Sequence, residues 1–417
     1  MHTRLTPDFE ETPEGAEAQQ IVGKCVHCGF CNATCPTYQL LGDELDGPRG
    51  RIYLIKQVLE GGEATRSTQR HLDRCLTCLN CQTTCPSGVE FGHLIEIGRK
   101  IVDAKVERPA GERVIRWALK EGMTSRAFGP AMSVARAVRP LLPAVLKKNI
   151  PPASPEKQAP ARVGPDERPA SPPARTVLLL EGCVQPSMMP AIDRAAERVL
   201  GRAGIRVTRV AAACCGAVRS HLGDPQGGLA HMRANIDAWT PLLASGAADV
   251  IVTSASACTL TIKEYGHALA HDADYRDRAA RISALARDLT QLLPDIVAAL
   301  KEQIRPAGAG RLAYHPPCTL QHGQRLRGVV ESALRELKFD IETARDAHLC
   351  CGSAGTYSVL QPAIADQLRD RKLAALGELA PAGIVSANMG CMRHLQSGTA
   401  IPVRHWIEVL DEALAPR

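Results

Sequence analysis

The pattern of apolar and polar positions changes texture near the middle of this 417-residue chain. From residue 176 onward, short apolar runs alternate with longer helical patterns. Residues 176–180, 205–210 and 250–253 read as short buried strands, and 311–314, 339–343 and 383–386 repeat the series. Helix-spaced apolar positions lie between them, for example at 191–200 and 363–376. Alternation of strand and helix predicts parallel sheets with right-handed crossovers. Upstream, Val114, Ile115, Trp117 and Leu119, then Val134, Val138, Leu141 and Leu142, predict two amphipathic helices broken near Gly129–Pro130. Residues 151–175 carry eight prolines and almost no large apolar side chains. Such a segment cannot bury enough surface to fold, and it reads as an extended, mobile linker.

Composition narrows the class. Apolar residues make up 45% of the chain, enough for cores in two or three domains. No run approaches the ~18 uninterrupted apolar residues of a membrane span. Residues 1–17 are polar and acidic, unlike a secretory leader, so the expected compartment is the cytoplasm, with peripheral attachment to the inner face of the inner membrane as the alternative. Aromatics at 3% argue against single-strand nucleic-acid binding, where bases stack on such rings. The net charge is +6, yet between Arg99 and Lys148 twelve Lys/Arg face four Asp/Glu. That basic stretch is either a solvated face on helices covering a neighbouring domain, or a docking face for an anionic membrane surface or an acidic partner subunit.

The sixteen cysteines carry the chemistry. Cys25-x2-Cys28-x2-Cys31-x3-Cys35-Pro36 recurs as Cys75-x2-Cys78-x2-Cys81-x3-Cys85-Pro86. Three thiolates on one tight loop grasp three irons of a cube, and the fourth is carried away to the other cluster. The expected [4Fe–4S] sets are Cys25, Cys28, Cys31 and Cys85, and Cys75, Cys78, Cys81 and Cys35. Zinc is the rival metal for paired CxxC units, but a triple followed by x3-Cys-Pro, occurring twice, exceeds what a four-thiolate ribbon needs. Lys24 and Arg74 precede the two runs and could offset cluster charge.

The second half is a duplication. Cys183, Cys214-Cys215-Gly216 and Cys258 recur as Cys318, Cys350-Cys351-Gly352 and Cys391, at offsets of 135, 136 and 133 residues. The cysteines follow strands, where open α/β sheets place their ligands. Adjacent thiolates can reach two irons of a cluster edge while glycine admits a left-handed backbone. Each module therefore offers four candidate metal ligands, against reactive thiols, buried structural cysteines or one shared site. His315, ahead of Pro316 and Pro317, reads as a loop residue hydrogen-bonded locally, with ligand or supporting group as the alternative. The roles of Thr261 and His394, three residues past the last cysteine of each module, stay open.

The segments CVHCGFCNATCPTYQLLGDELDGPRGRIYLIKQVLEG and HLDRCLTCLNCQTTCPSGV, with the two Cys-Cys-Gly modules, resemble the iron–sulfur subunits of bacterial glycolate oxidases (glycolate dehydrogenases). The resemblance implies an α-helical ferredoxin-like front domain, with helices over the 39 residues between Cys35 and Cys75. It also implies flavoprotein partner subunits that hold FAD and the 2-hydroxy acid site. The Cys-Cys-Gly modules are similar to those of heterodisulfide reductase, whose last cysteine belongs to a CxxC pair. Here that pair is Cys258–Thr261 or Cys391–His394, so a five-cysteine site cannot form.

The expected architecture is α+β and multidomain: a two-cluster helical domain over 1–107, a basic helical connector over 108–150, the linker over 151–175, and duplicated α/β modules over 176–304 and 305–417. No P-loop, nucleophile elbow or Rossmann glycine fingerprint is present. Gly47-Pro48-Arg49-Gly50-Arg51 reads instead as the cap of a helix starting near Ile52. With nothing to bind FAD or abstract a proton, the chain reads as an electron carrier, and the resemblance implies an electron-transfer subunit of a glycolate-oxidising complex that passes electrons from a partner flavin to a quinone-type acceptor. The alternatives are a thiol/disulfide reductase, or the equivalent subunit for lactate or glycerol 3-phosphate oxidation.

Overall fold

The computed structural model describes residues 1–141, 175–210, 214–306, 308 and 310–414. The front domain packs the helices Pro13–Lys24, Pro48–Leu59, Arg66–Asp73 and Phe91–Lys105 around Ala18, Ile21, Val22, Ile55, Leu59, Leu72, Leu94 and Ile95. The helix expected near Ile52 starts earlier, at Pro48. Gly47 is its extended N-cap, and proline fits the first helical position, where its missing N–H costs nothing. A Cβ on Gly50 would lie 2.1 Å from the Glu44 carbonyl oxygen, so glycine is what lets this first turn close onto the preceding loop.

The connector forms the helices Ala110–Thr124 and Phe128–Val138, which part at Ser125 rather than at Gly129–Pro130. Pro130 sits inside the first turn of the second helix, where backbone N–H groups have no intrahelical partner anyway. Its apolar positions Val114, Ile115, Trp117 and Val134 are exposed, and none of the two helices' residues is buried. Several of the basic residues are paired: Arg108 and Arg116 bind Asp73, and Lys120 binds Asp224. Leu142 and nearly all of the proline-rich segment lie outside the described residues.

Each Cys-Cys-Gly module is a four-stranded parallel sheet. The first has β1 (Arg175–Leu180), β2 (Ile205–Arg209), β3 (Val250–Thr253) and β4 (Ala286–Asp288) in the order β2-β1-β3-β4. The second repeats it with β5 (Leu312–His315), β6 (Ile341–Thr343), β7 (Gly383–Ser386) and β8 (Val403–His405) in the order β6-β5-β7-β8. Both faces are covered, as all-parallel sheets require. Val177, Leu179 and Val252 point into one apolar core, and Leu178, Leu180 and Ile251 into another. Sequence periodicity missed β4 and β8 because three residues carry no legible period. Both end on side-chain caps: Asp288 accepts from the Thr290 N–H at 3.0 Å, and His405 Nδ1 accepts from the Ile407 N–H at 3.2 Å.

The modules interlock. The last helix, Trp406–Ala413, packs on Ala191–Arg202 of the first module, where Arg198 meets Asp411 at 3.0 Å. Leu293–Leu300 packs on Val329–Glu336 of the second. Arg305 closes the exchange by donating its N–H to the Ala413 carbonyl at 2.7 Å. The front domain sits across both modules. Asn80 donates to the His348 carbonyl at 3.1 Å and Tyr357 to the Arg74 carbonyl at 3.0 Å. His93 donates to Glu264 at 3.1 Å while its ring stacks on His267. Among the described residues no helix is long and apolar enough to cross a membrane.

Candidate metal centres

The two front loops share one backbone. His27 and Gly29 in the first, and Thr77 and Leu79 in the second, all take positive φ at matching places. Thr77 and Leu79 do so without glycine's freedom, and such conformations persist where the surroundings over-determine them, commonly at functional sites. The turns aim the thiols inward. A cleft of about 430 Å³ is lined by Cys25, Cys28, Cys31 and, from the other run, Cys85. A second, of about 300 Å³, is lined by Cys75, Cys78, Cys81 and, from the first run, Cys35. Each cleft thus gathers three cysteines of one run and one of the other, and Cys81 lines both. Burial, and then the neighbouring Cys25, push the Cys31 thiol up to about 11. Burial likewise raises Cys78 and Cys81 well above an ordinary thiol. Without metal these sulfurs hold their protons, and a cation that displaces the protons relieves the crowding.

Cys35 is held by a buried polar network that the sequence did not reveal. Its Sγ lies 3.2 Å from Thr37 Oγ1, which donates to the Asp46 carbonyl at 2.8 Å. The Asp46 carboxylate is fully buried and meets His71 at 3.0 Å, Arg74 at 2.8 Å and Arg51 at 3.5 Å. Arg51 is itself buried and donates to the His71 carbonyl at 2.8 Å. Removing the carboxylate leaves that guanidinium buried without its counter-charge. Asp46→Asn should therefore cost about 3–5 kcal/mol of stability, read by chemical denaturation under anaerobic conditions. A loss under about 1 kcal/mol would contradict this account of the network. Arg74 is thus paired with Asp46, and Lys24 is paired with Glu90 at 2.6 Å.

The other eight cysteines form two further groups. All are free thiols, and Cys183 neighbours Cys214, Cys214 neighbours Cys215, and Cys215 neighbours Cys258. A Cβ on Gly182 would lie 3.9 Å from the Cys258 sulfur, placing that cysteine against the Cys183 loop. In the second module the free thiols follow the same order: Cys318 neighbours Cys350, Cys350 neighbours Cys351, and Cys351 neighbours Cys391. Gly216 and Gly352 both take positive φ, and a Cβ on either would close to 2.9 Å and 2.5 Å of a helix carbonyl. Only glycine permits these turns.

The modules differ in position and charge. Leu76 and Cys78 of the front domain share one apolar cluster with Cys318, Cys350 and Tyr357 of the second module. The first module's cysteines Cys215 and Cys258 pack with Met232, Ile236 and Tyr265 instead. Lys372, which sequence reasoning missed, is buried beside Cys318, Cys351 and Cys350, and donates to the Asp346 carbonyl at 2.6 Å. Its signal was a lone lysine on the apolar side of a helix.

His315 corrects its sequence reading. It is the last residue of β5, not a loop residue, and neither ring nitrogen has a hydrogen-bond partner among the described residues. His394 donates to the Ala365 carbonyl at 3.0 Å, and Thr261 donates back to the Ala257 carbonyl of its own helix at 3.0 Å.

Comparison with known proteins agrees with this geometry. Residues 21–89 match the 4Fe-4S dicluster domain family, and residues 177–263 and 312–396 each match the cysteine-rich domain family. The chain is 50% identical to the glycolate oxidase iron-sulfur subunit of Escherichia coli (strain K12), over 99% of both chains. It is 29% identical to the probable glycolate oxidase iron-sulfur subunit of Bacillus subtilis (strain 168), over 90% of this chain and 88% of that one. Lactate utilization protein A of Geobacillus kaustophilus (strain HTA426) is 29% identical over 56% of this chain and 98% of its own.

Proposed function

This chain belongs to the family of glycolate oxidase iron–sulfur subunits, and from that premise we propose that it carries electrons from a partner's flavin, reduced by glycolate, toward a quinone-type acceptor. The ligands in this reading are Cys25, Cys28, Cys31 and Cys85 for one [4Fe–4S] cluster and Cys75, Cys78, Cys81 and Cys35 for the other. The cysteine-rich modules take further iron–sulfur centres through Cys183, Cys214, Cys215 and Cys258, and through Cys318, Cys350, Cys351 and Cys391. Such clusters pass single electrons, which suits a flavin that takes up a hydride and gives up its two electrons one at a time.

One observation carries the reading: the two front cysteine groups and that of the second module are contiguous. Cys81 lines both front clefts, and Cys78 abuts Cys318 and Cys350. The outer end of this series is open. Cys28 is exposed, and Val26 and Phe30, which line the same cleft, are exposed apolar side chains. We place the flavin-bearing partner there, on the cytoplasmic side, with FAD and the hydroxy acid site on that partner. Thiol/disulfide reduction is disfavoured because Cys214, Cys215, Cys318, Cys350, Cys351 and Cys391 are all buried from a disulfide substrate. Lactate oxidation is disfavoured by the shorter match of the lactate utilization relative.

Anaerobic co-purification with the flavoprotein subunits, with iron and flavin quantified, tests the assignment. Wild-type chain should bring flavin with it, and Phe30→Glu should lose at least about tenfold in partner affinity while keeping its iron. Retention of full affinity by that variant would move the docking face elsewhere.

A further inference from the structure

The duplicated modules supply their own control. In register, Leu180 pairs with Thr253 in the first sheet as His315 pairs with Ser386 in the second. Both residues end the strand that leads to the first cysteine of the module, Cys183 or Cys318. Leu180 packs in an apolar cluster with Cys215. At the same place in an otherwise repeated fold, the second module buries an imidazole. Its position is fixed, because Ser386 donates to the His315 carbonyl at 2.9 Å and Pro316 follows it. Neither Nδ1 nor Nε2 finds a hydrogen-bond partner among the described residues, although the residue is only 1% exposed. A polar ring is buried this way at a cost, and nothing in the fold requires it, since leucine serves in the first module. A ring nitrogen of His315 and the sulfurs of Cys351 and Cys391 all lie within 4.8 Å of one another.

We propose that His315 is a metal ligand of the second cysteine-rich module, completing with Cys318, Cys350, Cys351 and Cys391 a mixed imidazole–thiolate iron–sulfur centre that the first module cannot form. The assignment rests on the reading that this module binds an iron–sulfur centre. His394 does not fill the fifth place, since its Nε2 is engaged by the Ala365 carbonyl. The two centres of the duplication then differ in kind. The one with the nitrogen ligand is the one lying against Cys78 of the front domain.

The test uses the full chain purified anaerobically. Iron release to a ferrous chelator is followed for wild type, His315→Leu, His315→Cys and the double variant Cys350→Ser/Cys351→Ser. His315→Leu reproduces the first module's residue and should fold normally. It should release the second module's share of iron at least about tenfold faster than wild type, while His315→Cys releases it at close to the wild-type rate. Pulsed EPR of wild type grown with 15N-histidine should show an imidazole nitrogen coupling that His315→Leu abolishes. Wild-type release kinetics in His315→Leu, with iron that the double variant lacks, would overturn the ligand while leaving the centre in place. Equal iron in wild type and the double variant would remove the centre itself, and His315's role with it.

Discussion

Cys35→Ser should strip the cluster bound by the Cys75 loop and spare the one bound by its own loop. Pro36 starts a helix directly after Cys35 and turns the chain away from the first loop. The sulfur consequently lines the second cleft, with Cys75, Cys78 and Cys81. Thr37 and the Asp46 carbonyl hold it there. Serine keeps the shape but offers iron a poor ligand, so about four of the roughly eight front-domain irons should be lost. Site-resolved spectroscopy of the remaining cluster decides the matter. Survival of the cluster at Cys75, Cys78 and Cys81, with loss of the one at Cys25, Cys28 and Cys31, would show that the ligands are not crossed.

Nearly as large an effect is expected from replacing Cys214 and Cys215 together by serine. The four cysteines of the first module lie next to one another in series, so two missing sulfurs leave any metal there with half its ligands. Wild-type protein prepared under strict anaerobiosis should contain more iron than the roughly eight atoms of two cubanes. The double variant should lose part of that excess and keep the front-domain spectra unchanged. Iron fixed at the two-cubane value, with free thiols at these positions, would make the cysteine-rich modules structural.

Much of this was legible in the sequence because the informative signals are local or repetitive. The x2-x2-x3-Pro spacing encodes a loop and a departing fourth cysteine, and each cleft is lined by three cysteines of one run and one of the other. The strands around Val177, Val252, Tyr314 and Val385 are buried on both faces, so they read as continuous apolar runs. The duplication emerged from cysteine offsets alone. What stayed hidden depends on contacts between distant segments. Asp46, Arg51 and His71 look like surface residues until three elements close on them. The exchange of Trp406–Ala413 onto the first module leaves no local mark. His315 was visible as a histidine, and its offset of 135 from Leu180 was available too. That both its nitrogens lack partners is a property of packing, which spacing does not carry.

The proposed division of labour between this chain and a flavin-bearing partner is tested most directly by stopped-flow reduction under anaerobic conditions. Glycolate is mixed with the iron-loaded chain alone, and with the same chain bound to its flavoprotein subunits, while cluster absorbance is followed. The account predicts bleaching in the complex and none in the isolated chain, which dithionite still reduces. Bleaching of the isolated, flavin-free chain by glycolate would contradict it.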